Sequence, residues 1–415
     1  MPVTLSLRKS MVRSLALGDA TTLARGELTL DARALANELE AQDERIATVE
    51  VHTTLPGEST RVVCAKDVVQ PRLKVDGTDP GAGTTYLMEN LAVVTCGPIV
   101  GFQEGIIDMS GPGAAYTPFS ELALVVIELR VVDGLRPHEH EATVRHAGLR
   151  AAEHTARRCV EFAADEEEEI HWDEFPADAG LPRIAYVDML LSQGLLHDTY
   201  VLGENARDGL PLVMDPRVVI DTGIVSGNCV SACDKNTTFH HQNNPLIAKL
   251  LSGHGKRWNL VGVVLTNEPT RLAEKEASAA RAVDLVRGLG AHGAIVTKEG
   301  FGNPDADLMM ITRGLEQAGI KAVAMTDEYA GTDGGSQSLA DTTPEADAIV
   351  STGNANQRVR LPAMQKVIGP LPDITRLAGG YPGSLHEDGS MEVELQAIVG
   401  STNQLGFGRL SCRES

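Results

Sequence analysis

The sequence predicts an α/β fold, with a C-terminal doubly wound parallel-sheet domain preceded by a β-rich N-terminal region. Two observations carry the fold class. From Trp258 onward, apolar strand-like runs alternate with amphipathic helical stretches, a pattern that implies parallel strands joined by right-handed crossovers. Before Pro137 the apolar runs are short, β-branched and punctuated by Gly and Pro, which reads as strands and turns. A third observation bears on function. Each C-terminal strand ends in a polar cluster, and sheets of this class bind ligands beyond the carboxyl ends of their strands.

In chain order, "GELTLDARAL", "IATVEVHTTLPGE", "TRVVCAKDVVQPRLKVDG" and "NLAVVTCGPIVGFQEGIIDMSGPG" are the β runs of the first region. Pro137 to Ala164 is Ala-rich with a period near 3.6, predicting a helix opened by proline. "ADEEEEIH", Ala164 to His171, is the most acidic run and reads as a solvated loop or helix end. "RIAYVDMLLSQG" is a buried strand feeding a loop. Then come the strand "WNLVGVVLTNE", the helix "RLAEKEASAARAVDLVRGLG", the strand "AHGAIVTKEGFGN" and the helix "DADLMMITRGLEQAGI". The strands "KAVAMTDE" and "EADAIVST" complete the set. The strand ends carry Asn267, Glu268, Lys298, Glu299, Asn303, Asp327, Glu328, Tyr329, Asp333, Asn354 and Asn356, so they are expected to share one crevice. The expected division is 1–135 as the β-rich region, 136–228 as an α/β segment, and 229–415 as an α/β domain.

Composition narrows the classes. At 415 residues the chain is long enough for two or three domains. A net charge of −21 argues against a nucleic-acid surface, which needs a basic footprint. No apolar run approaches the ~20 residues of a membrane span. The start lacks the continuous apolar core of a signal peptide, so the expected location is the cytoplasm. The six cysteines are then expected to be reduced thiols. There is no G-x-G-x-x-G opening a helix after a strand and no G-x-x-x-x-G-K-[ST], so no nucleotide cofactor is expected.

The densest polar stretch is "SGNCVSACDKNTTFHHQNNP", Ser226 to Pro245. Cys229 and Cys233 stand at C-x3-C spacing without a second pair nearby, so no metal is expected. "HEH", His138 to His140, reads as a solvated helix start. The Asn228–Cys229 bond admits another chemistry. A Cys thiol can attack the carbonyl before it and move the upstream acyl group from nitrogen to sulfur. Gly227 permits the backbone dihedrals this needs, and neighbouring Asn and Ser groups can hold the oxyanion. Loss of the cysteine α-proton then expels a thioacid. The dehydroalanine left behind tautomerises to an imine, and hydrolysis leaves a pyruvoyl group, a ketone that binds amines. Asp234, Lys235 and Asn236 come after the bond and can position or deprotonate groups. His240 and His241 can supply a base, one of the two being structural. A buried Cys in a polar turn is the alternative reading.

Several blocks add a resemblance: "GFQEGIIDMSGPGAAYTPFS", "VDGLRPHEHE", "SQGLLHDTY", "SGNCVSACDKN", "KEGFGNPDADLMM", "TDEYAGTDGGSQSLAD", "GNANQ" and "GSLHEDGSMEVELQAIVGSTNQLGFGRL". In this order, from about residue 60 to the C-terminus, they resemble the pyruvoyl-bearing precursor subunit of component B in the glycine, sarcosine and betaine reductase family. The resemblance implies a cut at Asn228–Cys229, with Cys229 becoming the pyruvoyl group and Cys233 as the fallback. It implies that this ketone binds the substrate amine as a Schiff base. A selenol or cysteine thiol on a partner subunit of component B then displaces the amine. The carboxymethyl group passes to a small selenoprotein carrier, protein A, and an acetyl-transferring component C completes the sequence. A quaternary amine cannot form a Schiff base, which makes betaine the least suitable substrate. Lys298, Asp327 and Glu328 are the expected groups for the amine's proton or the substrate carboxylate. Two other readings stand beside this one: a pyruvoyl enzyme for a different amine, and an unprocessed, non-catalytic α/β binding subunit.

Overall fold

The computed structural model describes residues 4–98, 105–162, 164–173, 180–193, 199–227, 235–371, 377 and 379–407. The N-terminal region builds two larger sheets and a small three-stranded one (Ser14–Leu17, Glu27–Leu30, Thr22–Ala24). In the first, β1 (Thr4–Met11) lies between β5 (Gly83–Glu89) and β9 (Glu166–His171), with β4 (Arg72–Asp76) beyond β5. The acidic run expected as a loop or helix end is thus a strand. It is antiparallel to β1, and Lys9 Nζ reaches Glu168 at 2.6 Å. The ladder groups of β1 require a partner, and exposed charges on the outer strand discourage further pairing.

The second sheet has the order β7 (Gly105–Asp108), β3 (Thr60–Val69), β6 (Leu91–Cys96), β8 (Ala123–Val131), β2 (Ile46–Thr54). Every residue of β3 and β6 is buried, because both faces are covered. On one face Val93, Val125 and Ile127 meet Val144, Ala147 and Ala151 of α2 (Pro137–Cys159). On the other, Val62, Val94 and Val126 share a cluster with Phe119 and Phe239. One helix departs from the sequence expectation. "GELTLDARAL" runs from a strand into α1 (Ala32–Gln42). Asp31 caps it by accepting from Ala34 N at 2.9 Å, and Leu35 and Leu39 share its buried face.

The C-terminal sheet has the order β11 (Leu212–Met214), β12 (Asn259–Asn267), β10 (Arg183–Leu190), β13 (Gly293–Thr297), β14 (Lys321–Glu328), β15 (Ile349–Asn354). All adjacent pairs are parallel except β11 with β12. The four strands expected after Pro245 are present. What the sequence pattern does not show is that β10 sits among them, between β12 and β13. Helices α5 (Leu272–Gly288) and α6 (Asn303–Gln317) cover one face, where Ala282, Val286, Leu308 and Leu315 meet Val187, Val264 and Val296. Gly314 permits their close approach, since a Cβ there would lie 2.8 Å from Val283 Cγ2. The other face carries α4 (Pro245–Gly253), whose Ile247 and Leu250 meet Tyr186 and Val263. The "NNP" motif starts this helix: Asn244 Oδ1 accepts from Leu246 N at 3.0 Å and Ile247 N at 3.1 Å, and Pro245 takes the first helical position.

The regions on either side of residue 228 share their sheets. Strand β10 precedes it yet lies inside the C-terminal sheet, and β16 (Lys366–Ile368) comes after it yet pairs in parallel with β3.

Candidate active site

Numbered by chain position, the parallel strands run 2-1-3-4-5, with β10 as the first. From β10 the chain leaves toward the face carrying α4, whereas β13 is entered from α5 on the opposite face. The crevice of such a sheet opens where these connections diverge, beyond the carboxyl ends of β10 and β13. Glu299, completely buried, occupies that point. Its Oε2 accepts from Leu191 N at 2.6 Å and its Oε1 from Asn236 N at 2.8 Å. Burial opposes its ionisation, but His241, Lys235 and these amide donors outweigh burial and hold the carboxyl below its usual range.

The segment resuming at Lys235 is therefore fastened to the sheet's switch point. Asn403 Nδ2 donates to Asn236 Oδ1 at 2.5 Å, while Asn236 Nδ2 is buried without a hydrogen-bond partner. Helix α3 (Thr238–Gln242) comes next, wedged between the two large sheets. Its Thr238 donates to Asp67 of β3 through Oγ1 at 2.7 Å and N at 2.9 Å. Thr238 Oγ1 also accepts from Ser226 N at 3.0 Å, which joins the chain before the predicted cut to the chain after it. Asn228, Cys229, Cys233 and Asp234 lie outside the described residues. Their neighbours on the two sides, Ser226 and Lys235, line one cavity of about 10 Å³ with Lys66 and Asn236, room for about one water.

The adjacent histidines separate, on a helix rather than a strand. His240 faces Phe119 and Phe407, with ring centroids 5.1 and 4.7 Å away. Its Nδ1 accepts from Thr237 N at 3.0 Å, and burial pushes its pKa down to about 3. That side chain is neutral and serves the helix start. His241 points the other way, its Nε2 3.6 Å from Glu299 Oε1, an ion-pair separation longer than a hydrogen bond.

Of the expected crevice residues, Lys298 and Asp327 come together. Lys298 Nζ, fully buried, lies 2.9 Å from Asp305 Oδ1 and 3.9 Å from Asp327 Oδ1. Asp327 also accepts from Gln404 Nε2 at 3.0 Å and Thr402 Oγ1 at 3.1 Å. Glu328 is half-buried, and strand alternation sends its side chain to the face opposite that of Asp327. Asn354 and Asn356 tie down the loop after β14, accepting from Ala330 N at 3.1 Å and Gly331 N at 3.0 Å. Glu268, at the end of β12, is buried with no partner for either oxygen, and burial raises its carboxyl well above the usual range. Beside it a cleft of about 480 Å³, lined by Ser192, Arg207, Asn267 and Arg281, opens at the ends of β10 and β12.

Sequence reasoning missed Asp67, Asp188 and the 402–404 segment. A signal existed for Asp188: it is the one charged residue in the apolar run "IAYVDMLL".

Burial pushes Asp67, Asp188 and Asp327 each up to about 6. Between the ordinary carboxylate value and that point, the folded protein holds protons that the unfolded chain has shed. Their contribution to stability therefore falls as pH rises through this window. Asp327→Asn should make the fall in stability from pH 5 to pH 7 shallower by on the order of 1 kcal/mol, measured as urea midpoints. An unchanged slope would show that Asp327 is ionised throughout.

The fold and site thus define a doubly wound α/β protein whose buried acid–base groups meet the segment that resumes at Lys235. The chain belongs to the family of glycine/sarcosine/betaine reductase component B subunits, whose family model matches residues 3–413. It is 45% identical to the glycine reductase complex component B subunits alpha and beta of Acetoanaerobium sticklandii, over 97% of each chain. It is also 45% identical to the sarcosine reductase complex component B subunit alpha of Peptoclostridium acidaminophilum, over 99% of each. A shorter likeness, 28% over 158 residues, covers 35% of this chain and 25% of the D-proline reductase proprotein PrdA of A. sticklandii. No solved structure matches. The protein is accordingly a component B subunit of a reductase of this type. Among the described residues no helix is long and apolar enough to cross a membrane.

Proposed function

We propose that the chain is cut at Asn228–Cys229, that Cys229 becomes a pyruvoyl group, and that the mature protein uses it for reductive C–N cleavage of a small amine such as glycine or sarcosine. The observation that carries this reading is the anchoring of Asn236 N on Glu299, which fastens the chain resuming at Lys235 to the switch point of the sheet. The likeness to a chain called a proprotein supports processing. The surroundings suit a ketone: Asn236 Nδ2 is an orphaned buried donor, and the small enclosed space beside Lys235 and Ser226 excludes bulk water. The pyruvoyl group supplies an electrophile that takes the substrate amine as a Schiff base and makes it a better leaving group. Lys298 offers a buried cation for the substrate carboxylate, and Asp327 shares that cation.

The reductive thiol or selenol comes from a partner subunit of component B. The sequence holds no selenocysteine. The described cysteines, Cys64, Cys96 and Cys159, are buried, and burial pushes the Cys159 thiol up to about 12. The carboxymethyl product then passes to a protein A-type carrier and a component C-type acetyl-transferring enzyme.

The test is reductive trapping. Mature protein incubated with sarcosine and borohydride should lose activity and gain the mass of the reduced adduct on the C-terminal fragment alone. Turnover that is insensitive to borohydride would mean that the amine is not held covalently. An intact chain that is inert to carbonyl reagents would mark an unprocessed binding subunit.

A further inference from the structure

Behind the switch point three titratable side chains from three elements meet in the interior: Asp188 of β10, His241 of α3 and Glu299 after β13. None is more than 1% exposed. Neither ring nitrogen of His241 has a hydrogen-bond partner, nor does Asp188 Oδ2. Asp188 Oδ1 accepts from Thr297 Oγ1 at 3.2 Å, and Thr297 is bonded to Tyr186 Oη at 2.8 Å. The groups that act on the imidazole are Asp188 of β10 and Glu299 after β13, with His240 beside it on α3; Tyr186 acts in turn on Asp188, and Lys235 on Glu299.

Burying an imidazole with both nitrogens unsatisfied costs stability that an apolar residue would not. His240, its neighbour in sequence, shows the satisfied alternative, with Nδ1 used in the helix cap. Glu299 links His241 to the chain after the cut, because the oxygen facing Nε2 is the one that accepts from Asn236 N. We propose that His241, positioned by Glu299 and Asp188, is the proton-transfer residue of this crevice. It takes at Nε2 the proton that an ammonium ion must shed before its nitrogen can attack a carbonyl. An N–H bond of the ammonium breaks, an N–H bond of the imidazolium forms, and no electrons change hands. Glu299 and Asp188 stabilise the cation that results.

This inference rests on the proposed ketone, and the experiment separates the two. Processed protein is treated with sarcosine, which enters as an ammonium ion, and with methoxyamine, which is uncharged at neutral pH. Adducts are read by intact mass after borohydride or directly. His241→Gln should slow sarcosine trapping at least tenfold and leave methoxyamine labelling at the wild-type rate. His240→Gln should leave the ratio of the two rates unchanged. Equal loss of both rates in His241→Gln, or loss of neither, overturns the proposal. Wild-type protein that labels with neither amine overturns the ketone itself. Should His241→Gln fail to mature, Asp188→Asn reads the same proposal. Removing a negative neighbour of the imidazole should move the pH profile of sarcosine trapping to lower pH, and an unmoved profile overturns it.

Discussion

Replacing Cys229 by alanine is expected to leave the protein as one uncut chain of 415 residues. Wild-type protein from its own host should instead give two fragments. One ends at Asn228, and the other is blocked to Edman chemistry because a pyruvoyl end has no amine. The effect is all or none, since cleavage needs the Cys229 sulfur twice: as the nucleophile toward the Asn228 carbonyl, and as the leaving group when the α-proton is lost. Cys233→Ala should leave the cut in place, because its sulfur does neither. Intact mass decides the matter. The reverse pattern would transfer the role to Cys233, and an uncut wild-type chain in the presence of its partner subunits would remove the hypothesis. Maturation is separable from folding here. The Thr238 contacts to Asp67 and Ser226 and the Asn236 contact to Glu299 use no atom of residue 229.

The second large effect concerns the two fragments once the chain is cut. They should stay together through gel filtration in native buffer and separate only in concentrated guanidinium. The N-terminal fragment supplies β10, which pairs on both sides with strands of the C-terminal fragment. The C-terminal fragment in return supplies β16 to β3, and Arg61 Nη2 donates to Pro362 O at 3.0 Å. Pulling β10 out would expose Tyr186, Val187, Met189 and Leu190, all fully buried. At roughly 1.5–3 kcal/mol for each side chain, with the ladder hydrogen bonds at about 1 kcal/mol each, the cost exceeds the ~12 kcal/mol of a nanomolar complex. Fragments that part in native buffer would contradict this topology.

How far the sequence could be read differs between elements. The pattern from Trp258 onward maps directly onto β12, α5, β13, α6, β14 and β15, because hydrophobic periodicity is local and all of these elements except the edge strand β15, where Ile349 and Val350 are exposed, bury a continuous face. "RIAYVDMLL" is legible as a buried strand, but its place between β12 and β13 is not. The helix after "GELTL" was missed although Asp31 stands at its cap. The acidic run became a strand because β1 offered an open edge. Among the site residues, Lys298 and Asp327 were legible as strand-end polar groups, and they meet. Asp67 and Asn403 were not, since each reaches the site from more than a hundred residues away.

By itself the sequence determined the α/β class, the strongly acidic net charge, the Asn-Cys bond in its polar setting, and the ordered motifs that mark the family. These properties live in composition, periodicity and short spacings, which survive without knowledge of the fold. Only the tertiary structure decided the 2-1-3-4-5 strand order, and with it where the crevice lies. It also decided which of two adjacent histidines faces a carboxylate. Strand order depends on edges pairing across long stretches of chain, and a side chain's partner depends on which helix face turns toward which sheet. Glu299 illustrates the difference: the sequence shows a glutamate at a strand end, and the fold makes it the carboxylate that holds Leu191, Asn236 and His241 at one point.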